Sequence, residues 1–247
     1  MANGGAGAIV VTRNSDDPDI GDLLATASGL DLDGPPIGWK RARWEPVWKG
    51  NAHLPGRDVL YEIDREVDRH TTVRPSWLRG LADGDPTRLL VASTIWGFGN
   101  FSKGPRFLGR MLGGQRSDSA IPDVLADIVS AAKSGASEGF SALFDARGRS
   151  RMSHLGIAFG TKLLHFAGYD SPARPRPLVF DARVWRATRR VRGCPDLPSP
   201  TGYVRSDQYD AYCSWAEQVA DAAMNGIELA TVEYLLFDYG GRVRTRV

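Results

Sequence analysis

The feature that most constrains the fold of this chain is a helical repeat of apolar residues, which runs from about residue 76 to about residue 240. At 121–132, for example, Ile, Val, Leu and Ala recur at spacings of three and four residues, which places them on one face of a helix. No stretch after residue 76 keeps the polar–apolar alternation of a half-buried strand. The sequence therefore predicts a mainly α-helical fold.

Composition divides the chain into three predicted parts. Residues 1–36 are rich in Gly, Asp and Ala and end in a Gly-Pro-Pro turn, so we expect a loosely ordered arm with one short helix near Ile20–Ala27. Residues 37–75 combine tryptophans, basic residues and turn signals, and we interpret them as a small irregular or β-containing subdomain. Residues 76–247 would form the helical domain. A chain of 247 residues that is 42% hydrophobic can bury a sizeable core.

Charge and cysteine content narrow the classes of partner and metal site. The net charge is only +2, so any nucleic-acid binding must come from a local patch, such as the five arginines within 181–192. A solvated helix face is the competing interpretation of that patch. Two cysteines and four histidines show no ligand spacing, so we expect no zinc or iron–sulfur site. No apolar run approaches the roughly 20 residues that span a bilayer, and we expect a soluble cytoplasmic protein.

One lysine and one aspartate carry the strongest functional signal. Lys162 ends a Gly160-Thr161-Lys162 motif, and we expect a tight turn at Gly160 between two helices. The second of these helices would present unpaired N–H groups that bind phosphate well. Asp181 follows Lys162 by nineteen residues, comes after an apolar run and opens a basic helix. Taken singly, Asp181 would be a helix N-cap and Lys162 a solvated lysine.

Taken together, the two motifs resemble those of the helix-hairpin-helix DNA glycosylases, in particular the 8-oxoguanine DNA glycosylase branch. That branch has a hairpin ending in Gly-Thr-Lys and, nineteen residues later, an aspartate in an apolar–Asp–x–x–apolar context, as in Phe180-Asp181-Ala182-Arg183-Val184 here. The resemblance covers roughly residues 85–240. It implies a helix-hairpin-helix glycosylase fold with Lys162 as nucleophile and Asp181 as the catalytic carboxylate. It implies no organic cofactor and leaves open a monovalent cation at the hairpin.

The resemblance also assigns residues that bind the base and the DNA. Phe166 and Phe237 would sandwich the flipped base. Glu233 stands where the family has a glutamine that reads the base, and a carboxylate there accepts hydrogen bonds only. Asn100 would fill the gap left in the stack, beside Trp96 in the same turn. The DNA phosphates would be held by Gly160, Thr161, Arg183 and Arg186.

Departures from the family pattern leave the substrate open. Ile157 and Ala158 replace the usual hairpin proline and glycine, Arg183 replaces a histidine, and Glu233 could pair with a guanine or a cytosine. Four hypotheses follow: excision of 8-oxoguanine in repair, excision of hypermodified cytosine from phage DNA, a non-catalytic DNA-binding protein, and a helical protein in which the spacing is a coincidence. The first three have double-stranded DNA as partner, and we expect a monomer associated with the nucleoid.

Overall fold

The architecture is mainly α-helical, as the sequence predicts. A computed structural model describes residues 17–27, 30, 39–99, 101–114, 120–144, 146–223 and 226–243. These residues contain isolated backbone bridges but no β-strand. The helices are α1 (Ile20–Leu24), α2 (Arg41–Trp44), a 3₁₀ helix (Glu45–Val47), α3 (Val59–His70), α4 (Pro75–Arg79), α5 (Pro86–Phe98), α6 (Gly104–Gly113), α7 (Ala120–Lys133), α8 (Ala136–Leu143), α9 (Ile157–Gly168), α10 (Ala182–Thr188), α11 (Ser206–Ala222) and α12 (Leu229–Arg242).

Helix α9 lies at the centre of the fold. Every residue from 160 to 168 is buried, because α5, α7 and α8 all pack against this helix. A helix that is enclosed on all sides must be apolar or must pair its polar groups internally. Most residues of α9 are apolar. Its buried polar side chains, Thr161, Lys162 and His165, have polar partners within the protein.

Gly160 allows α8 to approach α9 closely. A Cβ atom at this position would overlap the side chain of Leu143 on α8. The amide of Gly160 donates a helical hydrogen bond of 2.8 Å to the carbonyl of Gly156. The predicted turn at Gly160 is therefore wrong, since α9 is continuous from Ile157 and the preceding helix, α8, ends at Leu143. A buried glycine with a paired amide is also not available to a DNA phosphate.

The last three helices pack mainly against one another and against α8. Helices α10 and α12 form the closest pair, because Gly240 of α12 lies directly against the carbonyl of Arg183 on α10. Helix α11 packs against both α8 and α12, and α1 contacts α12. The short helix predicted near Ile20–Ala27 corresponds to α1. This arrangement brings the beginning of α10 and one face of α12 to the side of α9 that carries Lys162.

The region before residue 76 is more regular than we expected. Residues 39–75 contain α2, the 3₁₀ helix and α3, and α3 packs against α5 in the same apolar core as the later helices. The reason is the amphipathic pattern of α3, which buries Val59, Leu60 and Ile63. Among the described helices, none combines the length and apolarity needed to cross a membrane.

Candidate active site

A buried ion pair joins the lysine and the aspartate that the sequence singled out. Lys162 Nζ lies 2.9 Å from Asp181 Oδ2, and the two side chains are only 7% and 15% exposed. Nζ also lies 3.4 Å from the carbonyl of Ala158, one helical turn earlier. A lysine enclosed in this way is not the solvated surface lysine of the competing interpretation. Such a pair must be positioned accurately, because a misplaced partner would leave a buried charge uncompensated.

The two carboxylate oxygens of Asp181 do different things. Oδ1 accepts hydrogen bonds from the amides of Arg183 and Val184, at 2.9 and 3.2 Å, and so caps α10. Oδ2 faces Lys162. Burial alone would raise the pKa of Asp181, but the Lys162 ammonium and the two capping amides outweigh it and hold that pKa below its ordinary value. The N-cap interpretation and the catalytic interpretation of Asp181 are therefore compatible.

The extended segment 177–180 delivers Asp181 to this position, and α9 holds one side of it. Thr161 Oγ1 donates to the carbonyl of Ile157 and accepts from the amide of Phe180, both at 2.9 Å. His165 Nδ1 lies 3.1 Å from the carbonyl of Pro177. Burial lowers the pKa of His165 to about 4, so the ring is neutral at physiological pH and Nδ1 is the donor. Thr161 is fully buried, so its predicted contact with DNA is wrong.

Two buried tyrosines of α11 hold the other side of the segment 177–180. Tyr209 hydroxyl accepts from the amide of Leu178 and donates to its carbonyl, at 3.0 and 2.6 Å. Tyr212 hydroxyl donates to the carbonyl of Val179 at 3.2 Å. The backbone that precedes Asp181 is therefore hydrogen-bonded from both sides, although it belongs to no sheet. The apolar helical pattern of α11 does not reveal this role, and the hydroxyl groups of the two tyrosines are its only signal in the sequence.

Helix α5 leaves room for the stem of Lys162. A Cβ atom at Gly97 would lie 2.9 Å from both Lys162 Cδ and the ring of Phe159. Phe159 itself lies beside the ammonium, with its ring centroid 5.7 Å from Nζ. Gly97 is exposed, so a side chain there would lie between the lysine stem and solvent. No pattern in the sequence marks Gly97 for this role.

Glu233 on α12 is the second carboxyl group near the pair. It is partly buried, and burial together with the negative charge of Asp181 raises its pKa to about 8, against the opposing effect of Lys162. At neutral pH the side chain is therefore mainly a carboxylic acid, which has one O–H donor as well as acceptors. This differs from the acceptor-only carboxylate that we expected from the sequence.

The two phenylalanines predicted to sandwich a base are in different environments. Phe166 is 1% exposed, and its ring packs edge-on against Trp96 at 5.1 Å. A base could reach it only if Trp96 moved. Phe237 is partly exposed, and the guanidinium of Arg183 lies over its ring at 4.6 Å. Phe237 is thus the one of the two that borders the surface near Glu233.

The other residues predicted to contact DNA also differ in their accessibility. Arg183 is exposed, whereas Arg186 Nε donates to the carbonyl of Gly240 at 2.9 Å and so ties α10 to α12. Trp96 lies within α5 rather than at the tip of a turn. Asn100, the predicted plug, is outside the described residues. The monovalent cation at the hairpin stays a prediction.

Comparison with known protein families places this geometry in context. A family model described as "Putative 8-oxoguanine DNA glycosylase OGG-like protein" matches residues 31–237. The match contains Lys162, Asp181 and Glu233, and it begins well before residue 85, where the resemblance in the sequence began. Searches of curated proteins and of solved structures each found no match.

Proposed function

Because the chain belongs to this family of 8-oxoguanine DNA glycosylase OGG-like proteins, we propose that it is a DNA glycosylase and lyase that removes 8-oxoguanine from duplex DNA. The observation that carries the proposal is the buried Lys162–Asp181 pair, with Nζ and Oδ2 at 2.9 Å. A lysine that merely contacted a phosphate, as in a non-catalytic DNA-binding protein, would be expected at the surface. Here the amine is buried, and a carboxylate lies within hydrogen-bond reach as a group that can exchange a proton with it.

The first step would be departure of the base. The target nucleotide leaves the stack, because a stacked base cannot meet a protein nucleophile. The bond from C1′ to the base nitrogen breaks, and its electron pair leaves with the base. Asp181 would stabilise the positive charge that develops on the sugar, since its low pKa keeps it ionised. The departing base takes up the proton that the Lys162 ammonium must lose.

The second step would be attack by the neutral amine. Lys162 Nζ forms a bond to C1′, and one further proton passes from the amine to the ring oxygen O4′. The C1′–O4′ bond then breaks, which opens the sugar ring and gives a Schiff base. Removal of a C2′ proton then expels the 3′ phosphate by β-elimination and nicks the strand. These steps consume no oxidant, reductant or organic cofactor.

Base recognition would fall to Glu233. As a carboxylic acid it can accept a hydrogen bond from N1–H of a guanine and donate one to O6, as an amide could. The same donor and acceptor also match N3 and the amino group of cytosine. This observation supports a second candidate function, excision of a hypermodified cytosine, because the acid can donate to N3.

Base release separates these functions. Wild-type protein is incubated with duplexes that contain 8-oxoguanine, a hypermodified cytosine or only normal bases, and the free bases are measured by chromatography. We expect release of 8-oxoguanine alone, slowed about 100-fold in Asp181→Asn. Release of the modified cytosine instead would establish the second candidate, and no release from any duplex would refute the glycosylase proposal.

A further inference from the structure

Phe101 is the most exposed large apolar side chain among the described residues, at 56%. Two other exposed aromatics have polar contacts that explain their position: Arg41 lies 3.5 Å above the ring of Tyr61, and Tyr203 donates to the carbonyl of Ala146. Phe101 has no polar group. Because transfer of an apolar ring out of water is favourable, this side chain would gain free energy if a binding partner covered it.

The turn between α5 and α6 holds Phe101 firmly in this position. The amide of Phe101 donates to the carbonyl of Phe98 at 2.9 Å, and its carbonyl accepts from Gly104 at 3.1 Å. Gly99 reverses the chain with φ of +48°, a conformation that favours glycine. The ring itself stacks on Phe98, with centroids 6.3 Å apart and an interplanar angle of 11°. The Phe101 side chain therefore extends into solvent from a backbone that is hydrogen-bonded and a ring that contacts Phe98.

A row of aromatic rings connects this projection to the catalytic lysine. Phe98 stacks on Phe159 at 4.3 Å, and Phe159 lies 5.7 Å from Lys162 Nζ. The exposed ring and the ammonium thus lie at the same end of the molecule. A protein that flips a base needs this combination, because the gap in the stack and the pocket for the base are neighbours in the DNA.

Basic residues continue from Phe101 along α6. Lys103, Arg106 and Arg110 are all exposed. Arg106 and Arg110, together with His154, line an open groove of about 590 Å³, and the described residues that line this groove include no carboxylate. A groove of this charge suits the backbone phosphates of a duplex.

We propose that the α5–α6 turn enters the DNA stack, with Phe101 as the wedge in the gap left by the flipped base and with Arg106 and Arg110 on the adjacent backbone. The inference rests on the proposed glycosylase function. It assigns the plug to Phe101 instead of the neighbouring Asn100, which the family resemblance implies.

Excision kinetics with Phe101→Ala, Phe101→Leu and Tyr61→Ala test the wedge. Each protein is assayed under single-turnover conditions on two duplexes, with 8-oxoguanine opposite cytosine or opposite an abasic gap where the stack is already broken. We expect Phe101→Ala to lose about 10- to 100-fold in rate on the first duplex and much less on the second, since an aromatic stack is typically worth this much. Phe101→Leu restores most of the rate because leucine also serves as a wedge. Tyr61→Ala, the matched exposed aromatic, behaves as wild type.

A fluorescent 2-aminopurine placed next to the lesion reports unstacking directly. Wild type increases its fluorescence on binding, and Phe101→Ala does so to a smaller extent. Equal rates and equal fluorescence for Phe101→Ala and wild type overturn the wedge. An equal loss on both duplexes also overturns it, because a general folding or binding defect would not depend on the state of the stack. If the wild type itself excises no base, it is the proposed function that fails, and the fluorescence assay still shows whether Phe101 unstacks the duplex.

Discussion

Thr161 and Phe180 are joined by a buried hydrogen bond, in which the Phe180 amide donates to Thr161 Oγ1 at 2.9 Å. Each of these residues immediately precedes one member of the Lys162–Asp181 pair. The bond therefore fixes the backbone one residue away from both Lys162 and Asp181. In the Gly-Thr-Lys motif, glycine allows close helix contact, threonine holds the segment before Asp181, and lysine forms the buried ion pair with that aspartate.

Thr161→Val removes the acceptor of this hydrogen bond while keeping the shape of the side chain. The Phe180 amide would then be buried without a partner, which costs about 1–3 kcal/mol. We expect a lower free energy of unfolding in urea and a slower single-turnover excision, because Asp181 loses its alignment. Thr161→Ser keeps the hydroxyl and serves as the control. Wild-type excision by the valine variant would show that this bond does not position Asp181.

Gly97→Ala tests the space beside Lys162. The new methyl group would lie 2.9 Å from Lys162 Cδ and from Phe159, so the lysine stem must move. We expect excision to slow about tenfold or more, since small displacements of a reacting group have effects of this size. The control is Gly84→Ala, where the nearest described atom, the carbonyl of Leu81, is at an ordinary 3.5 Å. Equal excision rates for the two variants would contradict the assignment of Gly97.

Glu233→Gln tests whether the acid form of Glu233 is the active form. The pKa of Glu233 is raised to about 8, and Asp181, Lys162 and Tyr212 are the titratable groups that influence it or respond to it. We expect wild-type excision to decline as pH rises through about 8. The glutamine variant keeps a donor and an acceptor at all pH values, so it should excise the base without this decline. The same decline in both proteins would assign it to another group.

The same substitution makes a prediction about stability. Because the pKa of Glu233 is higher in the folded protein than that of an ordinary glutamate, the folded state binds more protons than the unfolded state between the ordinary pKa and about 8. The free energy of unfolding should therefore fall as pH rises through this window. In Glu233→Gln this contribution is absent, and urea unfolding at several pH values should show a flatter profile. A profile as steep as that of the wild type would contradict the raised pKa.

The sequence predicts those features of the fold and the site that depend on interactions between residues close together in the chain. Local patterns are sufficient for the helical fold and for Asp181 at the start of α10, because periodicity and N-capping act within a few residues. The spacing of Lys162 and Asp181 signals their pairing only through a family resemblance. The turn expected at Gly160 is wrong because glycine serves there for close packing against Leu143, seventeen positions away, and not for a change of chain direction.

Other features depend on tertiary contacts that no local pattern reveals. The acid form of Glu233 results from burial and from the charge of Asp181 on another element. The hydrogen bonds of Tyr209 and Tyr212 to segment 177–180 join positions more than thirty residues apart. Phenylalanine is usually buried, so the sequence would place Phe101 in the core. Its exposure is known only from the structure.

Borohydride trapping followed by peptide mapping tests the central claim, that Lys162 is the nucleophile. Wild-type protein and Lys162→Gln are incubated with 8-oxoguanine duplex and sodium borohydride, the adducts are digested, and the modified peptide is sequenced by mass spectrometry. We predict a covalent adduct on Lys162 in the wild type and none in the variant, whose fold is checked by its thermal unfolding. An adduct on a different amine, equal trapping by Lys162→Gln, or release of the base with no adduct at all would contradict the account.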